Sequence, residues 1–170
     1  CENIASIVID NSPVDVAEPA ITILSHHTNC IHPDGALSVS VNGNTADYFL
    51  QWYNGNSVRN QNNETGEFYR DLEAGTYTVT ATDNESGCVS DPVSAEILPF
   101  QEIPEFEITT VPTNCEENIG EAMLTLLNNV QLLSVEWDIA GVIEFGTMLS
   151  DLPKGEFTVT ATTYQECVTS

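Results

Sequence analysis

Basic residues are almost absent from this chain. Its 170 residues include 26 aspartates and glutamates but only three lysines and arginines, which gives a formal net charge of -23. A surface this acidic repels phosphate backbones and anionic lipids, so nucleic acid and direct membrane insertion are excluded as modes of binding. Because few salt bridges can form, stability must come from sheet packing, cross-links or bound cations.

Catalytic and membrane-spanning patterns are missing as well. The sequence contains no G-x-S-x-G, H-E-x-x-H, Walker or G-x-G-x-x-G motif and no C-x-x-C pair. No apolar run approaches the roughly 20 residues of a membrane helix. We therefore name no catalytic residue and predict that the chain is not an enzyme. It opens without a methionine or a signal-like segment, which predicts an interior segment of a longer precursor.

The most informative feature is an internal repeat. The stretch "LEAGTYTVTATDNESGCVS" at 72–90 returns as "LPKGEFTVTATTYQECVTS" at 152–170. Trp52 returns as Trp137, and "TNC" at 28–30 returns at 113–115. We predict three segments: 1–18 is the terminal strand and linker of a preceding repeat, 19–99 is a complete repeat, and 100–170 is a second repeat that lacks most of its last strand.

Both copies show the alternation of β-strands. Apolar residues alternate with serine or threonine at 37–41, 77–81 and 157–161, which is a period of two. The stretches "NGN", "EAG" and "DNESG" between these runs are typical of turns. The segment 121–133 contains helix-forming residues, but its alignment with 36–48 favours a strand.

About seven short strands per repeat, with one tryptophan in the middle, predict an all-β chain of tandem immunoglobulin-like β-sandwich repeats. Buried aromatic side chains dominate the interiors of such sandwiches. We therefore assign four aromatic residues to the two cores: Trp52, Tyr77, Trp137 and Phe157.

This order of residues resembles the SprB-type repeat of large cell-surface adhesins of gliding Bacteroidota. The first copy carries the pattern at Cys30, Gly35, Trp52, Leu72, Gly75, Tyr77, Val79, Asp83 and Cys88. The second carries it at Cys115, Gly120, Trp137, Leu152, Gly155, Phe157, Val159 and Cys167, with Thr163 in place of the aspartate.

The resemblance implies a structural stalk or filament segment of a secreted adhesin that spaces and displays adhesive regions. It implies export by the type 9 secretion system and an extracellular location at the cell surface, associated with the outer membrane. The implied partners are neighbouring repeats of the same long chain, with other copies in a filament or a surface polysaccharide as further candidates.

The five cysteines are widely spaced in an acidic chain, which favours an oxidising, extracellular setting. The simplest pairing is one bridge in each repeat, Cys30–Cys88 and Cys115–Cys167, which leaves Cys1 for a preceding repeat. However, the two members of each pair lie at opposite poles of a standard sandwich, whereas a bridge needs Cα atoms within about 7 Å. Buried thiols are therefore the open alternative.

The acidic residues have two interpretations. One is a solvated, self-repelling surface that keeps a long filament extended. The other is Ca²⁺ held by oxygen ligands in loops, with Asp83, Glu85, Glu116 and Glu117 as candidates. No other cofactor is expected. Three histidines flank Cys30, but the second copy lacks them, so we do not expect a zinc site there.

The rival interpretation is a carbohydrate-binding or accessory β-sandwich module of a secreted hydrolase. Such a module needs an exposed aromatic platform. One group in the first repeat is rich enough to supply it: Tyr48, Phe49, Tyr53, Phe68 and Tyr69. An ordinary sheet face also explains exposed aromatics of this kind.

Overall fold

A computed structural model describes residues 15–59, 61–112 and 119–170, with the backbone alone for 61–63. Every regular element in these ranges is a β-strand. The first seven are β1 Ala20–Ser25, β2 Gly35–Ser40, β3 Tyr48–Asn54, β4 Gln61–Thr65, β5 Phe68–Leu72, β6 Gly75–Asp83 and β7 Val93–Ile97. The next seven are β8 Phe106–Val111, β9 Gly120–Leu126, β10 Leu132–Ile139, β11 Val142–Phe145, β12 Met148–Leu152, β13 Thr158–Thr163 and β14 Val168–Thr169. In the part of the chain so described, no helix is long and apolar enough to cross a membrane.

The strands of the two repeats follow one topology. In the first repeat, β1-β2-β5 form a three-stranded sheet and β4-β3-β6-β7 form a four-stranded sheet. The second repeat has the sheets β8-β9-β12 and β11-β10-β13-β14, which is the same order strand for strand. Neighbouring strands run antiparallel. The predicted all-β, immunoglobulin-like sandwich is confirmed, and 121–133 begins with a strand, as its alignment favoured.

The alternating residues form the interiors. In the first repeat Leu37, Val39 and Val41 are buried, and Trp52 lies beside Val79 across β3 and β6. In the second repeat the buried cluster takes residues from both sheets: Ala122, Leu124, Val135, Trp137, Leu152, Val159 and Ala161. Trp52, Trp137 and Tyr77 are buried as predicted, and Phe157 is half-buried against the second cluster. The pleat puts alternate residues on opposite faces, so one face of each strand supplies the core.

The last strands of the two repeats differ. Strand β7 pairs with β6 from Gly75 to Val79, and its Ile97 is 1% exposed. Strand β14 has two residues and pairs with β13 only at Ala161 and Thr162. Accordingly, β6 is nine residues long whereas β13 is six. Pairing with β7 therefore accounts for the three residues by which β6 is longer than β13.

Contacts divide the chain into two compact units whose limits differ from those of the sequence repeats. The described part of the first unit is 15–25, Ala36–Arg70 without residue 60, and Gly75–Ile97. The second unit contains the described part of Leu98–Ser170 and two segments of the first repeat, His26–Gly35 and Asp71–Ala74. The predicted boundaries at 18/19 and 99/100, as limits of separate folding repeats, stay predictions. Residues 1–14 lie outside the described residues.

Candidate functional site: the cysteine loop

The segment His26–Gly35, called here the cysteine loop, follows β1 and leads into β2. It is part of the second unit because its backbone bonds to residues there. The His27 N–H donates to the Leu98 carbonyl at 3.1 Å, and the Phe100 N–H donates to the His27 carbonyl at 2.7 Å. A piece of the first repeat in sequence is thus built into the second unit in space.

Asp34 holds the cysteine loop in shape. Its carboxylate accepts bonds from the Thr28 N–H at 2.7 Å, the Thr28 hydroxyl at 2.6 Å and the Asn29 N–H at 3.2 Å, and the His27 Nδ1 lies 3.1 Å from it. Desolvation raises the pKa of Asp34, but the hydrogen bonds from Thr28, Asn29 and His27 outweigh it and lower the pKa to about 2. Asp34 is therefore ionised at neutral pH and ties both ends of the loop together.

A disulfide joins the loop to the turn that follows β13. Cys30 and Cys167 are bonded, with their Cα atoms 5.0 Å apart and a sequence separation of 137. The Cys30 N–H donates to the Gln165 carbonyl at 2.9 Å, and the Asn29 side-chain amide donates to the Glu166 carboxylate at 2.9 Å. The bridge therefore sits in a docked interface of backbone and side-chain hydrogen bonds.

This bridge corrects the predicted pairing. Cys30 and Cys167 are disulfide-bonded, but to each other, so Cys30–Cys88 and Cys115–Cys167 are wrong. The reason is that the cysteine loop belongs to the second unit, which also contains Cys167, whereas Cys88 belongs to the first. Among the cysteines that the structure describes, Cys88 is a free, half-buried thiol. Cys1 and Cys115 lie outside the described residues. The one sequence signal for this result is the conflict between pairing within a repeat and the geometry of a sandwich.

Two of the three loop histidines have structural roles. His26 Nδ1 accepts from the Leu98 N–H at 3.1 Å, and its ring meets Phe100 edge-on with centroids 4.9 Å apart. His27 Nε2 lies 3.0 Å from the Gln101 amide nitrogen. Within residues 15–59, 61–112 and 119–170, no three His, Cys, Asp or Glu side chains are grouped as metal ligands. His26 and His27 therefore each help to hold this loop against the second unit.

The calcium candidates are only partly described. Asp83 and Glu85 lie at the turn after β6, and Asp83 Oδ1 accepts bonds from the Ser86 N–H and hydroxyl, both at 2.7 Å. The backbone bond from Ser86 is the largest cause of the lowered pKa of Asp83. This carboxylate stabilises its own turn. Glu116 and Glu117 lie outside the described residues, so calcium binding stays a prediction.

A tryptophan–glycine hydrogen bond occurs in both repeats and was missed at the level of sequence. Trp52 Nε1–H donates to the Gly66 carbonyl at 2.9 Å, and Trp137 Nε1–H donates to the Gly146 carbonyl at 2.7 Å. Both glycines have positive φ, +101° and +128°. Each bond ties the four-stranded sheet to the loop that enters the other sheet. Gly66 and Gly146 are 80 residues apart, the same offset as Leu72 and Leu152, and this offset was the available signal.

The aromatic platform of the rival interpretation is dispersed. Tyr53 is buried beside Thr80, and Tyr69 packs against the rings of Trp52 and Tyr77 at 5.7 and 5.5 Å. The exposed members are Phe49, on β3, and Phe68, on β5. These strands belong to different sheets, so the two rings do not share a sheet face.

Comparison with known proteins gives little beyond the fold. No protein-family model matches the chain, and no curated protein matches it. Among solved structures, the chain is similar to the fibronectin(III)-like modules of CbhA from Clostridium thermocellum, with a TM-score of 0.34 and 12% identity over 89% of this chain and 90% of that chain. The chain is a β-sandwich protein by its own strand order and core.

Proposed function

We propose that this chain is a load-bearing stalk segment of a large, secreted cell-surface adhesin with SprB-type repeats. Its role is to space and display adhesive regions outside the cell, and it performs no catalysis. The observation that carries the proposal is the bridge from Cys30 to Cys167, which begins in the first sequence repeat and ends in the second.

The bridge changes the path of tension. A force applied to the two ends of the chain enters at Cys30, crosses the sulfur–sulfur bond and leaves at Cys167, whatever the fold between them. The intervening 137 steps of backbone cannot be pulled out by that force while the bond is intact. At ~3.5 Å per extended residue, those 137 steps are about 480 Å of chain that tension cannot pull out. A stalk that keeps its length under load needs such a limit.

Composition supports the same role. A formal charge of -23 keeps neighbouring stalks apart and soluble. The disulfide fits an oxidising extracellular location. The chain contains two copies of one topology in sequence, and repeat proteins increase their length by adding such copies.

Single-molecule force spectroscopy tests the load-bearing role. The chain is pulled from its two ends with and without a reductant. The reduced chain should release about 480 Å more contour length than the oxidised chain, because 137 further steps become extensible. A Cys88→Ala variant is the matched control and should show the same difference. Equal contour lengths in both states would refute the force path.

The adhesin context needs a second measurement. Pull-down with cellulose and chitin separates the stalk from the rival carbohydrate-binding module. We expect no retention, since the two exposed rings of the candidate platform lie on different sheets. Specific retention that is lost in a Phe49→Ala or Phe68→Ala variant would favour the rival.

A further inference from the structure

We propose that Cys88 is a second cross-linking site, whose partner is the cysteine loop of another repeat of this kind. The resulting bridge would join successive repeats in the way that Cys30–Cys167 joins the two repeats here. This inference depends on the local geometry around the cysteines and does not require the adhesin role.

The turns that present Cys88 and Cys167 end in the same way, although the first, at 83–88, is one residue longer than the second, at 163–167. The Asp83 N–H donates to the Cys88 carbonyl at 2.9 Å, and the Thr163 N–H donates to the Cys167 carbonyl at 2.9 Å. The residue before each cysteine has positive φ, +71° at Gly87 and +59° at Glu166. The turn at Cys88 is therefore folded for a bridge before any partner is bound.

The residues after the cysteines continue the match. Val89 forms a bridge with Thr82, and Val168 pairs with Thr162, so each cysteine leaves its turn toward the preceding strand in one register. In both turns the cysteine N–H donates to a side-chain hydroxyl: Cys88 to Ser86 at 3.3 Å, and Cys167 to Thr163 at 3.2 Å. The two turns therefore agree in the residue before the cysteine, the carbonyl of the cysteine and the register after it. Because one of them is bonded to a cysteine loop, the other is suited to receive such a loop.

The difference in exposure shows what the loop covers. Cys167, with the loop docked, is 0% exposed, whereas Cys88 is a half-buried free thiol. The Cys30 N–H donates to the carbonyl of Gln165, two residues before Cys167, and Ser86 is the residue two before Cys88. One contact differs. Gly87 stands where Glu166 accepts a bond from Asn29, so docking at Cys88 relies on the backbone contact and the bridge.

The bridge forms by thiol–disulfide exchange. The Cys88 thiol loses its proton, and its thiolate attacks the loop cysteine sulfur of a mixed disulfide with glutathione. The new bond joins Cys88 to the loop cysteine, and the bond to glutathione breaks. The departing glutathione thiolate takes up the proton, so no further oxidant is required.

The test uses the full chain and a peptide copy of residues 26–36, HHTNCIHPDGA, with its cysteine in a mixed disulfide with glutathione. The control peptide carries Asn at the position of Asp34, which removes the carboxylate that shapes the loop. A second control is a scrambled peptide that keeps the cysteine. The chain carries Cys1→Ala and Cys115→Ala, so that Cys88 is its one thiol outside the Cys30–Cys167 bridge. Intact-protein mass spectrometry follows the adduct, and the same chain with Cys88→Ala checks that the adduct forms at this residue.

We expect the native-sequence peptide to form the Cys88 adduct at least about tenfold more favourably than either control, a ratio that one or two retained hydrogen bonds supply. The preference should vanish when the chain is unfolded in urea, because the turn geometry is then lost. Equal reaction of the three peptides with the folded chain would overturn the proposal and leave Cys88 as an ordinary accessible thiol. Adduct formation on the Cys88→Ala chain would overturn it too.

Discussion

Removal of the Cys30–Cys167 bridge should destabilise the second unit more than any single contact does. A closed loop with a sequence separation of 137 restricts the unfolded chain by about 5 kcal/mol in the chain-entropy model. Small domains have about 5–15 kcal/mol of total stability. The double variant Cys30→Ala/Cys167→Ala should therefore bring this unit close to its unfolding threshold. Alanine is preferred to serine here because Cys167 is fully buried and a hydroxyl would lack a partner there.

Equilibrium unfolding in urea, followed by tryptophan fluorescence, measures the effect. Trp137 reports on the second unit in a Trp52→Phe background, which serves as the reference for the double variant. The free thiol supplies the control, because Cys88→Ala removes a cysteine without opening a loop and should cost about 1 kcal/mol or less. If the double variant lost no more than this control, the bridge would not be a principal source of stability, and the argument from loop closure would fail.

Three further predictions concern the core and the cysteine loop. Trp137→Phe should cost about 1–3 kcal/mol in urea unfolding because it leaves the Gly146 carbonyl without its indole donor, and Trp52→Phe should cost a similar amount; a loss below about 0.5 kcal/mol would make this bond incidental. Gly66→Ala should cost about 1–3 kcal/mol through its φ of +101° alone, since a Cβ there meets no atom within 4 Å, and an unchanged melting temperature would contradict this. Asp34 has a folded pKa of about 2, lowered from 3.8, so its contribution is present above pH 4 and is lost as the pH falls toward 2. Because the Asp34 side chain is 38% exposed, we discount this contribution to about 1 kcal/mol. Asp34→Asn should flatten the pH dependence of the melting temperature over that range, and an identical profile would refute it.

The strands and the core could be predicted from the sequence because the pleat imposes a period of two. Val39, Val79 and Val159 each occupy a buried position that alternation predicts. The repeat supplied the second constraint: at 121–133 helix propensity competed with the strand pattern, and the aligned copy favoured the correct element. A tryptophan in each copy located both cores.

The cysteine loop could not be predicted in the same way. Its sequence belongs to the first repeat, but its hydrogen-bond partners, Leu98, Phe100 and Gln165, belong to the second compact unit. Such long-range contacts leave no periodic trace. The aromatic cluster failed for a related reason, since alternation along β3 and β5 does not reveal that these strands belong to different sheets.

Because His26–Gly35 belongs to the second unit, the boundaries of the sequence repeats and of the compact units do not coincide. A fragment cut at 99/100 would leave its own Cys167 unbonded and would lack the histidines that meet Leu98 and Phe100. For a gene that grows by tandem duplication, this offset makes lengthening and joining one event. Each inserted copy brings both a cysteine turn, which receives the loop of the copy before it, and a cysteine loop, which is bonded to the turn of the copy after it.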